Sequence, residues 1–197
     1  MKNFIVIAAP SGTGKTTLCR ELQKQNPEIQ FSVSCTTRPK RHYEKDGYDY
    51  HFLTHDEFEK LIAENALVEY EEVHGYFYGT KKSYLEDAIK KNDIIMLDLD
   101  VKGALSIKEL YPERTSLIFV EPPNEQILID RLKHRGSDSE ERIKVRLQRF
   151  QMEMGYKQQF DHIVLNDKLE DAVKSLKNIV ISKTKGELNG NQTFAHS

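Results

Sequence analysis

Residues 9–16 are Ala9-Pro10-Ser11-Gly12-Thr13-Gly14-Lys15-Thr16, and they follow directly after the apolar run Phe4–Ala8. A strand, a glycine-bearing loop and a helix start in this order turn successive backbone N–H groups inward and form a nest for phosphate oxygens. Lys15 adds a mobile positive charge for the outer phosphates, and the Thr16 hydroxyl is a suitable ligand for Mg²⁺. The segment predicts a phosphate-binding loop, and a strand–turn–helix corner with a chance lysine is the alternative.

Composition limits the classes of partner. The chain has 197 residues and a formal net charge of −2, so its surface as a whole is not built to bind nucleic acid. No apolar run is long enough to cross a bilayer, and we expect no membrane partner. Cys19 and Cys35 fall on a predicted helix and a predicted strand, which indicates reduced packing residues in a cytoplasmic protein. Whether the chain forms a homo-oligomer is left open.

Short apolar runs alternate with helical patterns along the chain. The runs cover residues 4–8, 31–35, 94–99, 115–120 and 162–165 and are typical of strands buried on both faces. The periodicity predicts helices from Lys15 to Gln25, after Asn124, from near Ser139, and over about 168–181. This alternation predicts an α/β fold with a five-stranded parallel sheet flanked by helices.

Residues 36–90 interrupt the alternation with polar and aromatic side chains. We interpret them as a small mixed α/β lobe, inserted into a core domain made of residues 1–35 and 91–184. Parallel α/β sheets bind ligands beyond the carboxyl ends of their strands, so the lobe is well placed to hold a second substrate against the loop. Residues 185–197 are polar without an apolar period and predict a mobile tail.

Two carboxylates mark the end of the predicted strand 94–99. Asp98 is placed to hold Mg²⁺, directly or through water, opposite Thr16. Asp100 follows two residues later, and we expect it on the same face of the strand. An ordinary strand-end carboxylate in a turn is the alternative.

A basic stretch lies further along the chain and contains Arg131, Lys133, Arg135, Arg142, Lys144, Arg146 and Arg149. The last three arginines share one helix face beside an apolar stripe, and Gly136 offers a hinge. Residues of about 131–150 therefore fit a lid whose arginines close over phosphates. Taken alone, the pattern also fits a solvated helix with local ion pairs.

The inserted lobe carries residue types that suit a phosphorylated acceptor. Arg38 and Arg41 are spaced to converge on one anion, and tyrosine hydroxyls at Tyr50 and Tyr78 can donate to the same group. A base edge can be read by Ser34, Glu69 and Thr80. A buried carboxylate accepts the N1–H and amino groups of guanine and discriminates against adenine. Each of these residues alone fits ordinary surface or core.

Over about residues 3–183 the sequence closely resembles the guanylate kinases. The resemblance rests on APSGTGKTT, SVSCTTRPKR followed by DGYDYHF, GYFYGT, LDLDVKG, EPP, RLKHRG and FDHIVLND. It implies the P-loop nucleoside monophosphate kinase fold and Mg²⁺-dependent transfer of the γ-phosphoryl group of ATP to GMP, with dGMP as an expected further acceptor. The products would be ADP and GDP, in purine nucleotide metabolism.

The same resemblance assigns residues to roles. It implies an ATP site of Ser11, Gly12, Thr13, Gly14, Lys15, Thr16, Thr17, Arg135 and Asn166. It implies a GMP site of Ser34, Arg38, Arg41, Tyr50, Glu69, Tyr78, Thr80 and Asp100. The expected catalytic cations are Lys15, Arg38, Arg41, Arg135 and Arg146, and the expected metal ligands are Thr16 and Asp98. The sequence departs from the family pattern at Ala9, Tyr43 and Lys102, where glycine, a small residue and glutamine are more usual.

Two alternatives stay open at this point. A guanylate-kinase-like module that binds protein segments would share the fold but lose loop features, and the intact Gly14-Lys15-Thr16 argues against it. A P-loop kinase for another phosphorylated acceptor would share the ATP half. Such a kinase has no need of Ser34, Glu69 and Thr80 together.

Overall fold

The computed structural model describes residues 2–27, 29–73, 75–134 and 140–188. Its strands are β1 (Phe4–Ala8), β2 (Gln30–Ser32), β3 (Cys35–Thr36), β4 (His51–Phe52), β5 (Leu67–Val73), β6 (Tyr76–Lys81), β7 (Ile95–Leu99), β8 (Thr115–Glu121) and β9 (His162–Leu165). Its α-helices are α1 (Lys15–Gln25), α2 (His55–Ala63), α3 (Lys82–Lys91), α4 (Val101–Leu110), α5 (Glu125–His134), α6 (Glu140–Met154) and α7 (Leu169–Leu188).

The main sheet has the order β2-β7-β1-β8-β9, and all of its pairings are parallel. This confirms the predicted α/β fold with a five-stranded parallel sheet. β1 lies at the centre because all five of its residues are apolar and fully buried. Its last residue, Ala8, lies opposite Leu99 of β7 and Phe119 of β8. The loop after β1 therefore leaves the sheet at its carboxyl edge, between the ends of two neighbouring strands.

Helices cover both faces of this sheet, since alternate residues of β1 point to opposite sides. Phe4 and Val6 pack in a cluster with residues of α3 and α4. Ile5 and Ile7 pack in a second cluster with residues of α1 and α7. Both cysteines are free and buried, as the sequence predicts. No helix in the described residues is long and apolar enough to span a membrane.

The inserted segment forms a second, four-stranded sheet with the order β4-β3-β6-β5 and mixed pairing. Helix α2 begins with a complete capping box between Thr54 and Glu57, which satisfies two of its first N–H groups. Its one buried residue, Phe58, packs with Cys35 and Leu67 in a small separate core. This core packs α2 against the inserted sheet.

The structure differs from the sequence-based prediction at three elements. The run 31–35 is not one buried strand: β2 is a partly exposed edge strand, and Cys35 pairs with His51 and Gly79 in the second sheet. Helix α4 was not predicted. Helix α7 continues to Leu188 and includes the first residues of the predicted tail, whereas residues 189–197 lie outside the described part.

Candidate functional site

The loop between β1 and α1 has the backbone geometry of a phosphate nest. Gly12 and Gly14 have φ angles of +91° and +89°, which residues with a Cβ rarely adopt. Gly14 is also the N-cap of α1 and makes no side-chain capping bond, so the first-turn N–H groups are available to an anion. Ala9 is buried and has no positive φ, so the backbone accepts alanine there.

Two polar side chains, Asn166 and Arg131, hold this loop by hydrogen bonds, and we call this pair the polar latch. The Asn166 side chain donates to the carbonyl oxygen of Thr13 at 2.7 Å. Arg131 donates to the same oxygen at 3.2 Å and to the Asn166 carbonyl oxygen at 3.1 Å. The sequence placed Arg131 only in a basic run, because its contact with a loop more than a hundred residues away leaves no local signal.

A cavity of about 390 Å³ opens beside the latch. It is lined by Gly12, Gly14, Thr17, Arg131, Asn166, Asp167 and Leu169. Asn166, which the resemblance assigns to the ATP site, lines this cavity. A cavity with one charged wall and the apolar Leu169 suits a flat heterocycle that carries polar edges.

Lys15 lies at the centre of the site. Its Nζ is 2.6 Å from Asp98 Oδ1, and it also donates to the carbonyl oxygen of Leu99. Thr16 is exposed at the edge of the same cleft. Thr16 and Asp98, the two predicted metal ligands, therefore line the same cleft. Lys15 lies between the loop and the sheet.

A larger cleft of about 680 Å³ continues from the loop to the inserted sheet. Among the predicted site residues it is lined by Ser11–Thr17, Ser34, Arg38, Arg41, Tyr50, Glu69, Tyr78, Asp98, Asp100 and Arg146. Thr80 is fully buried behind this lining. Arg135 lies outside the described residues, and the side chain of Arg142 does as well.

The two arginines of the inserted lobe are organised by one carboxylate. Arg38 makes a two-pronged contact with Glu44, with distances of 3.0 and 2.8 Å. The Arg41 backbone N–H donates to Glu44 at 2.8 Å, and its guanidinium donates to the Tyr43 hydroxyl at 3.1 Å. Burial opposes ionisation of Glu44, but hydrogen bonds from Arg38 and the Arg41 backbone hold its pKa below the usual range. Glu44 therefore fixes the arginine pair, and the sequence analysis did not assign it this role.

Aromatic rings define the walls around Arg38. Its guanidinium carbon lies 5.4 Å from the Tyr50 ring centroid and 5.6 Å from that of Phe52, which are distances for cation–π contact. Tyr50 and Tyr78 face each other edge to face at 6.0 Å. Burial, followed by the nearby Asp98 carboxylate, raises the pKa of the Tyr50 hydroxyl, which stays a hydrogen-bond donor at neutral pH.

Glu69 is a half-buried hydrogen-bond acceptor in the lining of the cleft. It accepts a hydrogen bond of 2.6 Å from the Thr80 hydroxyl. Burial raises the pKa of Glu69 to about 7, with the hydrogen bond from Thr80 acting against this rise and the neighbouring Asp100 carboxylate adding to it. A protonation change near neutrality at a cleft carboxyl is typical of a functional group.

Asp100 is not on the strand face that the sequence indicated. β7 ends at Leu99, and Asp100 is the N-cap of α4, where its Oδ1 accepts from the Gly103 N–H at 2.7 Å. The short helix α4 begins at once, which turns the chain out of the sheet. The other oxygen, Oδ2, receives Arg149 at 2.9 Å.

The predicted lid segment contacts the loop through Arg146, whose Nη1 donates to the Ser11 hydroxyl at 3.2 Å. Helices α5 and α6 pack through Leu128, Leu132, Ile143 and Phe150. The remaining departure, Lys102, lies 3.3 Å from Glu71 on β5. Lys102 therefore neutralises a cleft-lining carboxylate, and Tyr43 positions Arg41.

Comparison with known proteins identifies relatives of this chain. The guanylate kinase family model matches residues 1–183. The guanylate kinase of Chlorobaculum tepidum is 45% identical over 173 residues, which cover 88% of this chain and 89% of that protein. The guanylate kinase of Thermotoga maritima is 43% identical over 180 residues, which cover 91% of this chain and 86% of that protein.

A solved structure gives the same result. The crystal structure of guanylate kinase from Anaplasma phagocytophilum superimposes with a TM-score of 0.75 at 28% identity. The match covers 92% of this chain and 86% of that one. Sequence and fold therefore lead to the same family.

Gly14→Ala tests the nest. A Cβ at this position would lie 2.7 Å from Asn166 Nδ2, in addition to the strain of a positive φ. We expect the loss of at least one phosphate hydrogen bond, worth about 1.5 kcal/mol, and hence ATP affinity lowered by about tenfold, measured by calorimetry.

Gly75→Ala is the matched control. Gly75 has a similar φ of +81°, but an added Cβ meets nothing within 4 Å. Both variants should lose similar stability, and only Gly14→Ala should lose ATP affinity. Equal ATP affinity in the two variants would show that close packing at Gly14 is irrelevant to binding.

Proposed function

The chain belongs to the guanylate kinase family, and from this membership we propose how its cleft moves a phosphoryl group from ATP to GMP. The protein is a P-loop nucleoside monophosphate kinase that phosphorylates GMP. One observation carries the proposal: the loop and Glu69, which accepts a hydrogen bond from the buried Thr80, line one cleft. A nucleotide at each end brings the two phosphate groups together in the middle.

The donor half holds ATP. The cavity beside Asn166 accepts the adenine, and the N–H groups of the loop bind the phosphates. Lys15, which is now paired with Asp98, exchanges that carboxylate for the outer phosphate oxygens. Arg146 already contacts Ser11 of the loop, so its guanidinium is within reach of the same phosphates.

The acceptor half selects guanine by hydrogen-bond type. The Glu69 carboxylate, to which Thr80 donates a hydrogen bond, accepts the N1–H and the amino group of guanine, and the Ser34 hydroxyl donates to its carbonyl oxygen. Adenine presents an acceptor at N1 and has no amino group at C2, so its binding would leave the Glu69 carboxylate unpaired. The GMP phosphate lies against Arg38, Arg41, Tyr50 and Tyr78, with Asp100 beside the base.

The reaction needs alignment and charge neutralisation rather than a covalent enzyme intermediate. A GMP phosphate oxygen attacks the γ-phosphorus of ATP, the bond to the ADP oxygen breaks, and the products are GDP and ADP. Lys15, Arg38, Arg41, Arg146 and Arg135 neutralise the charge that develops between the two nucleotides. Of these, Arg135 lies outside the described residues and is assigned by family membership alone.

The donor atoms beside the loop fit Mg²⁺. Thr16 supplies a hydroxyl and Asp98 a carboxylate, and a magnesium ion in a kinase usually completes its shell with water and substrate phosphates. The described residues contain no cluster of three metal-binding side chains, which such a site does not require. The ion, held by Thr16 and Asp98, would neutralise negative charge on the substrate phosphates.

We assign a separate role to each part of the fold. We assign the core to residues 1–35 and 91–184, the GMP lobe to 36–90 and the lid to about 131–150. Closure of lid and lobe excludes water, which would otherwise hydrolyse ATP.

A cytoplasmic location agrees with two unpaired buried thiols, and burial raises the pKa of both.

A substrate panel with Mg²⁺ and ATP tests the function. We expect rapid ADP formation with GMP and dGMP, and turnover lower by about 10⁴-fold or more with AMP. Turnover of a sugar phosphate in place of GMP would support the alternative P-loop kinase. ATP binding without turnover of any acceptor would support a binding module.

Lys15→Ala tests the neutralisation of charge in the donor half. Removal of one preorganised cation lowers kcat by about 10²–10³-fold, and we expect the same for Arg135→Ala. Circular dichroism should show a folded protein in both cases. Near-normal kcat in either folded variant would remove that residue from the proposed machinery.

Glu69→Gln tests the selection of the base. The glutamine amide keeps one acceptor oxygen but presents its NH₂ group to the second donor of guanine, so kcat/KM for GMP should fall by about 100-fold. The affinity for an ATP analogue should stay within about twofold. Glu72→Gln, on an exposed position of the same strand, is the control and should match wild type. An equal loss of ATP affinity would contradict the assignment of Glu69 to the base.

A further inference from the structure

Helix α6 carries two arginines, three residues apart, that contact different halves of the cleft. Arg146 Nη1 is 3.2 Å from the Ser11 hydroxyl in the phosphate loop. Arg149 Nη2 is 2.9 Å from Asp100 Oδ2 in the acceptor half. Residues three apart on a helix lie on the same face. One rigid element therefore contacts both sites.

Arg149 is held by carboxylates from three elements. Its Nε donates to Glu153 one turn along α6 at 2.6 Å. Its Nη2 also lies 3.7 Å from Glu71 on β5, in addition to its contact with Asp100 at the start of α4. The Arg149 side chain is 18% exposed and that of Glu153 is 4% exposed. The guanidinium thus joins α6, the inserted lobe and the core sheet edge in a largely buried position.

The contact at Asp100 is directional. Gly103 fixes Oδ1 at 2.7 Å, so the carboxylate cannot rotate freely, and Oδ2 is presented to Arg149. A planar guanidinium can bind Asp100 and Glu153 with different N–H groups at once, which a single ammonium group cannot do with the same geometry. A shift of Asp100 is therefore passed to α6 through a two-ended connection.

We propose that Arg149 is a positioning residue that couples occupancy of the acceptor site to the placement of Arg146 at the donor phosphates. The proposal rests on the proposed function, since it takes GMP as the occupant beside Asp100. GMP bound there stabilises the arrangement of Asp100 and Arg149. That arrangement keeps α6 where Arg146 reaches the loop, so GMP and ATP bind more tightly together than alone.

The test measures the dissociation constant of a non-hydrolysable ATP analogue by calorimetry, with and without saturating GMP. In wild type we expect GMP to lower this constant by about fivefold or more, the usual scale of coupling between sites. In Arg149→Met the ratio should fall close to 1, while the analogue alone still binds within about twofold of wild type. At saturating GMP the KM for ATP should rise by about the same factor, and kcat should fall because Arg146 is held less firmly at the donor phosphates.

Two further variants separate coupling from simple stability. Lys144→Met removes an exposed positive charge from the same helix and should keep the wild-type ratio. Arg149→Lys keeps the charge but not the fork, so its ratio should lie below those of wild type and Lys144→Met. If Arg149→Met does not fold, Arg149→Lys decides the question alone.

The outcomes are distinct. A wild-type ratio in Arg149→Met, or in Arg149→Lys where that variant decides, would overturn the proposal, and so would a wild type without coupling. Neither result affects the assignment as a GMP kinase. Failure of wild type to bind GMP at all would overturn the proposed function itself, and the coupling with it.

Discussion

The parallel pairing of β1 with β7 sets Lys15 of the loop against Asp98, and the rest of the cleft is arranged around that ion pair. Because Ala8 lies opposite Leu99, the loop leaves the sheet where β7 also ends. The lysine is held 2.6 Å from the carboxylate until a stronger anion arrives. A loop with φ angles near +90° at Gly12 and Gly14 supplies N–H groups to that anion. Sheet register thus determines where the phosphates can lie.

The acceptor half of the cleft differs from the phosphate loop in charge, because carboxylates are concentrated there. Burial raises the pKa values of Glu69 and Glu71 to about 7 from an ordinary 4.5. These groups therefore contribute stability that is fully present below about pH 4.5 and is lost as the pH rises through 7. At neutral pH, ionisation of these two groups therefore lowers the stability of the protein when the pocket is empty. In the complex we propose, guanine offers two donors to Glu69 and compensates for part of that loss.

The sequence predicted what local patterns and order along the chain can reveal. The apolar run at residues 4–8, Gly14 at the N-cap and the Thr54 capping box each specify structure within a few residues. The split of residues 31–35 between two sheets could not be predicted, because it depends on pairing of Cys35 with distant Gly79. Helix α4 was missed because its N-cap, Asp100, also reads as the end of a strand.

Candidate site residues were predictable where a motif carried them, and the residues that organise them were not. Arg131, Glu44 and Arg149 act through contacts with other side chains or distant backbone, which leave no pattern in a single sequence.

The assignment of Glu69 to the guanine base is tested most directly by a ¹³C NMR titration of the Glu69 carboxyl, whose signal is identified by its loss in Glu69→Gln. We predict that the titration midpoint of Glu69 lies near pH 7 in the free protein and at least about one unit lower with GMP bound. The same midpoint with and without GMP would contradict it.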